Sequence, residues 1–569
     1  MNIFTLILSL FLSNFGNASI EKQGLPNHKL NIVLHSSFGG RSHIKSLLEI
    51  GDVLAKRGHS ITYATIHDNI RFTSGYNIKN YTLGSTETDT EMEKLLRAKV
   101  KQMIAQSPSE LNPKYLAKSL GSFFSKYYED TFLPLKEYLI ETKPDLVVCS
   151  FFAISCIDLA KHLKLPLIIG YQSTDNLGLI VEPFITMSSD YAPIYTKDMS
   201  FIERFNAQIL QPAIKIYYFS SMGDVTNQLR KKYQIPIVNG MNPGANYGLN
   251  IANSFVGFEP ATNTLPDLVH VGPIVSENRD KLTPELSEFL DFHENTLFIA
   301  FGSHSILNEN ITQKILEACL LAIEENIIDG IVWGLGKTKQ NDFPIEIKDR
   351  KGKKIKVQDL FEGKNKNIRL LSWAPQVSVL NHKNTKLFIS HGGLESTFEA
   401  IYSGTPILCL ALIADQPRNA RKIEEIGTGL YVDKVTFTPQ SLKEQFKTII
   451  EDKDHKFQSN LLRMKTISYY NSKRINVAVD LFEQHAYTAK ACRELEPYNP
   501  NSDLPPCEIK HLVPVSQQMS FISGKGIDIY GALILLLLSS LILSFYSIYC
   551  LSKIGFKCYN NISKKFKME

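Results

Sequence analysis

The chain has 569 residues and a formal net charge of +5; 44% of its residues are hydrophobic and 21% are charged. This length exceeds one domain and is sufficient for two large α/β domains, each with its own core. The composition is that of a globular protein, and so small a net charge argues against nucleic acid as a partner.

The first residues form a candidate secretory signal. An apolar run covers residues 3–12, and the small residues Gly16 and Ala18 follow it in a cleavage-site pattern. The run is too short to span a bilayer. We therefore predict a cleaved signal peptide over residues 1–18, although no lysine or arginine precedes the apolar run.

Residues 28–275 are predicted to form an N-terminal, Rossmann-like domain. Its first part, residues 30–65, contains a buried strand, a glycine loop, an amphipathic helix and a second strand. Such a βαβ unit predicts a parallel sheet. Further predicted elements are strands at 146–150 and 167–170 and helices at 91–106 and 116–140. The irregular, aromatic-rich segment 173–254 suits the wall of an apolar pocket.

A second α/β series follows a polar linker at residues 276–295 and extends over residues 296–490. Its predicted elements are a helix at 311–325, strands at 329–334, 368–371 and 386–390, and further helices. We expect an α/β protein of two doubly wound, Rossmann-like domains facing each other across a cleft. The cleft would lie at the carboxyl ends of both sheets, where such folds bind ligands.

The C-terminal part predicts a membrane anchor after a stalk at residues 491–528. Residues 529–552 contain no charged residue, and about 20 apolar residues suffice to cross a bilayer. The tail at 553–569 carries five lysines, and an excess of positive charge marks the cytosolic side. A signal peptide and one late anchor together predict a single-pass type I protein with its bulk in the lumen.

Two further features bear on the compartment. Residues 565–569 resemble the dilysine signals that return membrane proteins to the endoplasmic reticulum; a basic tail held near anionic lipid is the alternative. Glycosylation sequons begin at Asn80 and Asn310, which fits lumenal loops and a glycoprotein.

The eight cysteines are spread out and form no cluster with metal-ligand spacing. Cys492 and Cys507 fall in the stalk region and could pair, because the lumen is oxidising. Cys149 and Cys156 are predicted to be core residues.

Residues 373–420 contain the most informative pattern in the chain. A buried strand at 386–390 runs into His391-Gly392-Gly393 and then into apolar residues at helical spacing. Glycines let the backbone approach a ligand closely, and a helix start offers unpaired N–H groups and the positive end of a dipole. This junction suits a phosphate; an ordinary tight connection is the alternative.

Residues around the junction suit the other parts of a sugar nucleotide. Trp373 and Gln376 precede the strand, where a flat base could stack and form hydrogen bonds. Glu399 lies within the helix, placed for a ribose diol. Asp415 and Gln416 supply a carboxylate and an amide for further hydroxyls.

The span of residues 373–420 resembles the donor-binding signature of the UDP-glycosyltransferases, and residues 30–489 resemble their two-domain fold, called GT-B. The resemblance implies a UDP-sugar donor and the following contacts: Trp373 on uracil, Gln376 at the base and ribose, His391, Gly393 and Ser396 on the diphosphate, Glu399 on the ribose, and Asp415 and Gln416 on the sugar. Ser303, in a segment similar to a family landmark near the linker, is a further donor-binding candidate. Glu395 stands where many members have Asn, and a carboxylate beside a diphosphate is repulsive unless it turns away.

His43 is the candidate general base. It follows the first strand behind a glycine loop, and histidine titrates near neutral pH. From the residues alone, a local helix cap is the alternative, but the resemblance implies the catalytic histidine of the family at this loop. The acidic residue that orients this histidine in the family falls at Ser150, which cannot hold a charge. Asp158 could substitute, or the histidine could act unaided.

The predicted chemistry requires no metal and no cofactor. The helix start and His391 can stabilise the departing diphosphate, because fixed dipoles act without reorganisation. The Asp452-Lys453-Asp454 segment, with the spacing of a metal motif, follows a helix in a charged loop and is predicted to be surface. A base on one domain and a nucleotide on the other allow a single displacement, which inverts the anomeric carbon.

The sequence suggests two candidate functions and argues against a third. The first is a membrane-anchored enzyme that transfers a hexose from a UDP-sugar to a hydroxyl of a lipophilic small molecule or lipid. The second is a catalytically weak UDP-sugar-binding protein or a subunit of a larger transferase, because Ser150 and Glu395 depart from the family pattern. The third, a nicotinamide-dependent enzyme, is disfavoured since residues 38–43 lack the G-x-G-x-x-G spacing. The donor sugar, the acceptor and the oligomeric state are left open.

Overall fold

The computed structural model describes residues 27–37, 40–84, 98, 101–104, 106, 113–173, 195–197, 199–238, 247–276, 281–302, 305–349, 352–499 and 504–565. Within these ranges the strands are β1 (Asn31–His35), β2 (Ser60–Thr65), β3 (Lys79–Thr82), β4 (Leu146–Ser150), β5 (Leu167–Tyr171), β6 (Leu249–Ala252), β7 (Leu268–His270), β8 (Thr296–Ala300), β9 (Gly330–Gly334), β10 (Glu346–Lys348), β11 (Lys354–Lys356), β12 (Ile368–Leu371), β13 (Thr385–Ser390), β14 (Ile407–Leu410) and β15 (Gly429–Val432).

The α-helices in the same ranges are α1 (Lys45–Lys56), α2 (Pro113–Thr142), α3 (Ile154–His162), α4 (Phe201–Phe205), α5 (Gln211–Lys232), α6 (Pro284–Phe292), α7 (Glu309–Glu324), α8 (Val357–Phe361), α9 (Gln376–Leu380), α10 (Leu394–Ser403), α11 (Gln416–Glu425), α12 (Pro439–Glu451), α13 (Lys456–Ser472), α14 (Ile475–Arg493), α15 (Phe521–Gly524) and α16 (Ile527–Lys565). A single π-helical turn, Asn206–Leu210, joins α4 to α5.

The two large sheets are parallel and doubly wound. Their strand orders are β3-β2-β1-β4-β5-β6-β7 and β12-β9-β8-β13-β14-β15. In each sheet the order reverses beside the first strand of the domain, between β1 and β4 and between β8 and β13. Ligands of such folds bind at this reversal, outside the carboxyl ends of the strands. The predicted architecture of two Rossmann-like domains is therefore confirmed.

Burial on both faces explains why the strands are so apolar. Ile32, Val33 and Leu34 in β1 are fully buried, as are Leu387, Phe388 and Ile389 in β13. Parallel sheets covered by helices on both faces require such continuous apolar runs. Helix α1 covers the first sheet with buried residues that include Leu47, Leu48, Ile50 and Leu54.

Helix α14 returns from the C-terminal domain to the N-terminal one. Its residues Ala478, Val479 and Phe482 pack in the same hydrophobic cluster as β1 and α1. On the exposed side, Arg57 contacts Asp480 at 2.7 Å. The stretch from 475 to 490, which the sequence analysis placed in the C-terminal domain, therefore completes the core of the N-terminal domain. The other predicted domain limits stay predictions.

Two segments predicted to be irregular contain helices. The segment 173–254 includes α4 and α5, and α5 packs against α2 through stacking of Tyr233 on Phe132 at 4.3 Å. Apolar residues are exposed in both helices, for example Phe201 in α4 and Tyr217 in α5, so an apolar stripe does not mark these helices in the sequence. The predicted linker contains α6, which is capped by the Thr283 side chain.

The structure pairs four of the cysteines. Cys492 and Cys507 form a disulfide, as the sequence allowed. Cys149 and Cys156 are buried in a hydrophobic core cluster, as predicted, and they also form a disulfide that the sequence analysis did not predict. The pairing depends on the turn between β4 and α3, which the sequence pattern did not define.

Helix α16 contains the predicted anchor. In the described part of the chain, one helix, residues 527–561, is long and apolar enough to cross a membrane, and none of it is buried. Its length is consistent with a span, whereas its orientation stays a prediction. The predicted signal peptide and the last four residues lie outside the described residues.

Candidate functional site

The strand-glycine-helix junction has the predicted form. Strand β13 ends at Ser390, and α10 begins at Leu394 with Gly393 as its N-cap. Gly392 has φ +81°, and a Cβ there would lie 2.6 Å from the Cys409 sulfur, so only glycine fits. No side chain of the described residues caps α10. Its first turn can therefore offer backbone N–H groups and a positive dipole end to an anion.

His391 lies between two stretches of backbone. A Cβ added at Gly302 would lie 2.8 Å from its ring, and one added at Gly393 would overlap the ring. Burial lowers the pKa of His391 to about 4. Its Nδ1 atom is buried and has no hydrogen-bond partner in the described part of the chain. His391 is therefore a neutral, fixed imidazole that can hydrogen-bond a diphosphate without adding charge.

The predicted base and ribose residues lie next to one another. Gln376, the first residue of α9, donates from Nε2 to the Ser396 hydroxyl at 2.9 Å and to Glu399 Oε2 at 2.7 Å. Trp373 lies just before α9 and is 57% exposed, whereas Trp333 is 1% exposed in the core. The indole of Trp373 is thus accessible to a flat ligand.

The predicted sugar residues follow β14. The Gln416 side-chain carbonyl accepts hydrogen bonds from the N–H groups of Leu412 and Ile413, both at 2.9 Å, which leaves its amide nitrogen as the group for a ligand. Asn419 donates to Asp415 at 2.7 Å and to the Gly392 carbonyl at 2.9 Å. Asn419, which the sequence analysis missed, therefore ties this loop to the glycine turn. The sequence feature that could have identified Asn419 is its position one helical turn after Asp415.

Ser303 lies outside the described residues. The segment before it ends at Gly302, which has φ +72° and contacts the His391 ring. The donor-binding role of Ser303 stays a prediction.

His43 ends a short 3-10 turn after β1, at the carboxyl edge of the first sheet. Its ring packs edge-on against Phe152, with ring centroids 5.4 Å apart. Burial lowers its pKa to about 4, so the imidazole is neutral near pH 7 and is a weaker base than a solvent-exposed histidine. The Gln172 amide donates to the His43 carbonyl at 3.4 Å, which links this turn to the end of β5.

The two candidate partners of His43 occupy different environments. Ser150 is buried at the end of β4. Asp158 lies in α3 and accepts hydrogen bonds from Arg230 Nε at 2.8 Å and from the Tyr128 hydroxyl at 3.0 Å. Burial raises the pKa of Asp158 despite this guanidinium. These contacts give Asp158 a structural role, and its predicted action on His43 stays a prediction.

Lys45 joins the two domains at the site, and the sequence analysis missed it. Its ammonium lies 2.5 Å from Glu399 Oε1 and 3.5 Å from Glu395 Oε2. Asn253 of the N-terminal domain donates to Glu395 Oε1 at 3.3 Å. The sequence signal was a lysine at the first position of α1, where the helix dipole disfavours a cation.

A second ion pair crosses between the domains behind the site. Lys422 in α11 pairs with Glu259, and both side chains are 1% exposed. Glu259 also accepts hydrogen bonds from the hydroxyls of Ser254 at 2.8 Å and Ser173 at 3.0 Å. A buried pair satisfied in this way fixes the position of α11.

The Asp452-Lys453-Asp454 segment has a structural explanation. Asp452 accepts hydrogen bonds from the N–H groups of Phe457 and Gln458 at 3.0 and 2.8 Å, at the start of α13. Among the described residues, one group has metal-like proximity, namely Cys492, Cys507 and Glu508. Both of its cysteines are in a disulfide, so their thiolates cannot serve as ligands.

Comparison with known proteins gives a consistent result. Residues 33–474 match the family described as "UDP-glucoronosyl and UDP-glucosyl transferase". A UDP-glycosyltransferase of Talaromyces amestolkiae is 25% identical over 505 residues, covering 85% of this chain and 90% of the relative. UDP-glycosyltransferase FPY2 of Fusarium mangiferae is 28% identical over 477 residues, covering 81% and 84%. A solved UDP-glucosyltransferase from Polygonum tinctorium shares the fold, with a TM-score of 0.53, 18% identity and coverage of 81% and 100%.

Proposed function

Because the chain belongs to the UDP-glucuronosyl and UDP-glucosyl transferase family, and is thus an enzyme that transfers a sugar from a UDP-sugar to an acceptor, we propose that it is an inverting, metal-independent hexosyltransferase. Its acceptor is a hydroxyl of a lipophilic small molecule or lipid. The observation that carries this proposal is the approach of the His43 turn to the His391 junction, held by the contact of Lys45 with Glu399 at 2.5 Å.

The neutral state of both histidines supports the proposed mechanism. The pKa of each is lowered to about 4 by burial. Because it is neutral, His43 has a free electron pair that can take the proton of an attacking hydroxyl as the new bond forms. His391 and the first N–H groups of α10 can donate hydrogen bonds that stabilise the charge developing on the diphosphate. Since the dipoles are fixed before reaction, they supply the stabilisation that a metal supplies elsewhere.

The placement of the two groups on different domains supports inversion. The base follows β1 and the diphosphate site follows β13. An acceptor on the His43 side would approach the anomeric carbon opposite the departing UDP. A single in-line displacement of this kind inverts the configuration.

An apolar acceptor and a membrane location fit together. The His43 ring lies against Phe152, which itself contacts Phe151 at 5.3 Å, so the base has an aromatic wall on one side. Helix α16 would keep the enzyme beside a bilayer, where apolar hydroxyl compounds concentrate. We propose the endoplasmic reticulum lumen for residues 28–528, with the basic tail in the cytosol.

Turnover by the full-length chain in detergent micelles tests the proposal. A panel of UDP-sugars is incubated with a lipophilic phenol or alcohol, with and without EDTA, and the anomeric configuration of the product is read by NMR. We expect transfer from one UDP-hexose, an inverted product and no effect of EDTA. A retained anomer, or activity restored only by a divalent cation, would contradict the mechanism.

The second candidate is a weak or non-catalytic UDP-sugar binder. Ser150 and Glu395, which occupy positions where the resemblance implies other residues, are the observations that favour it. UDP binding without turnover of any UDP-sugar across the acceptor panel would support this candidate over the first.

The lumenal orientation has its own test. Asn80 and Asn310 are exposed, so both sequons can be glycosylated if they enter the lumen. Expression in a eukaryotic cell followed by endoglycosidase treatment should increase the gel mobility of the chain, and replacing both asparagines by Gln should abolish that change. An untreated chain of the same mobility as the double variant would oppose the lumenal orientation.

A further inference from the structure

Lys45 occupies a position that its own helix disfavours. It is the first residue of α1, where the dipole presents its positive end, and the first turn of α1 contains no acidic residue. The side chain is 12% exposed and directs its ammonium across the cleft to Glu395 and Glu399, which are 13% and 8% exposed. The cation is therefore stabilised by the opposite domain.

The two carboxylates belong to the face of α10 that carries the predicted donor contacts. Glu395 is the second residue of α10, and Glu399 follows one helical turn later. Gln376 joins Glu399 to Ser396 through its amide. The Lys45 ammonium thus lies beside groups predicted to contact the diphosphate and the ribose.

Among the described residues, Lys45 is the cation that contacts the carboxylates of α10. His391 is neutral, and Glu395 adds a carboxylate where the family commonly has an uncharged amide. Burial raises the pKa of Glu395 to about 7, which reflects the cost of ionising it there. A diphosphate would add further negative charge within the same enclosed space.

Glu395 is also turned towards the N-terminal domain. Its Oε1 accepts from Asn253, whose own carbonyl oxygen accepts from the Ile274 N–H at 2.8 Å and is therefore fixed. Lys45 and Asn253 together hold this carboxylate on the side of the N-terminal domain, which removes the repulsion that a free carboxylate would exert on a diphosphate.

We propose that Lys45 is a positioning residue for the donor: it offsets the charge of Glu395 and Glu399 so that α10 can bind the diphosphate of a UDP-sugar. Lys45 and Glu395 form a matched pair, one from each domain. The inference rests on the proposed function, because it assumes that the diphosphate lies at the start of α10.

Binding of UDP and of uridine by the full-length chain tests this pairing. The variants are Lys45→Met, Glu395→Gln and the double variant, with Lys56→Met as a matched control, since Lys56 lies at the far end of the same helix and its side chain is 64% exposed. We expect Lys45→Met to weaken UDP about 10- to 100-fold and uridine less than about twofold, because only UDP carries the charge.

The double variant should recover part of the UDP affinity lost in Lys45→Met, since one of the two uncompensated carboxylates is then absent while Glu399 remains. Lys45→Arg should retain UDP binding, and Lys56→Met should bind as the original chain does. Uridine binding also reports that each variant is folded.

Equal losses for UDP and uridine in Lys45→Met would overturn the inference, because they indicate that Lys45 only holds the domains together. Unchanged UDP affinity would overturn it as well. If the unmodified chain did not bind UDP at all, the proposed function itself would be refuted. This outcome differs from the two results that would overturn only the inference about Lys45 and Glu395.

Discussion

The two strand-to-helix junctions of the candidate site each contain a histidine, but they have different proposed roles. His43 follows β1 and His391 follows β13, and both strands lie where the order of their sheet reverses. Both histidines have a pKa lowered to about 4 by burial. His391, however, is held by backbone at Gly302 and Gly393, whereas His43 packs against the Phe152 side chain.

The different surroundings of the two histidines match what each proposed role requires. A group that stabilises a diphosphate must stay fixed, and glycines provide this by bringing the backbone against the ring. A group that accepts a proton must face an acceptor of variable shape, so an aromatic wall suits it better than a rigid backbone. A histidine fixed by backbone is accompanied by glycines that can be recognised in the sequence. A histidine packed on an aromatic side chain depends on a tertiary contact, which local sequence does not reveal.

Removal of the base should have the largest effect. We expect His43→Ala to lower kcat about 10²- to 10⁴-fold with UDP affinity unchanged, because the imidazole acts on the acceptor proton. Initial rates and equilibrium UDP binding measure this split. His162→Ala, a substitution of an exposed histidine in α3, is the control. A comparable loss of UDP affinity in His43→Ala would mean that the two junctions are not functionally distinct.

Removal of His391, the histidine proposed to contact the diphosphate, should act on binding instead. His391→Ala deletes a hydrogen bond to a charged group, worth about 1.5–3 kcal/mol, so UDP affinity should fall about 10- to 100-fold. Calorimetric titration with UDP measures the loss. Uridine affinity is the internal control, because uridine has no diphosphate. An unaltered Kd for UDP would show that His391 faces away from the nucleotide.

Replacing the glycine beside His391 should also weaken UDP binding, but by a smaller factor than replacing His391 itself. A Cβ at position 393 would overlap the imidazole, so Gly393→Ala must displace the ring, at a cost of about 1–2 kcal/mol, or about tenfold in UDP affinity. Gly223→Ala, in helix α5 with open space around it, is the matched control. Tight UDP binding by Gly393→Ala would refute the claim that this backbone fixes the ring.

The pH profile should show the smallest change. Because the pKa of His43 is lowered from 6.5 to about 4, its neutral, proton-accepting form persists as the pH falls below 6.5. We expect kcat, measured at saturating UDP-sugar so that titration of Glu395 does not enter through donor binding, to vary less than about twofold from pH 7 to pH 5.5, with the acid limb near pH 4. Rates at constant ionic strength across this range measure it. An acid limb near pH 6.5 would indicate that the His43 turn opens to solvent in the active enzyme.

Much of the donor side was predictable from local pattern. The apolar runs of β1 and β13 and the glycines before α10 are local consequences of a parallel sheet and a close backbone approach. The acceptor side was not, since Phe152 and Gln172 reach His43 from the ends of other strands. The disulfide between Cys149 and Cys156 was not predicted for the same reason, because a disulfide depends on the distance between two residues and not on their burial.

The amino-acid sequence by itself determined the two alternating strand and helix series, the strand-glycine-helix junction around His391 and the apolar helix near the C-terminus. Hydrophobic period and glycine position act over a few residues, so they are present in the sequence directly. Only the tertiary structure decided that α14 completes the N-terminal core and that Lys45 meets Glu399 across 354 positions of chain. Such contacts depend on how the two domains pack. The sequence around one charged residue therefore does not identify its partner in the other domain.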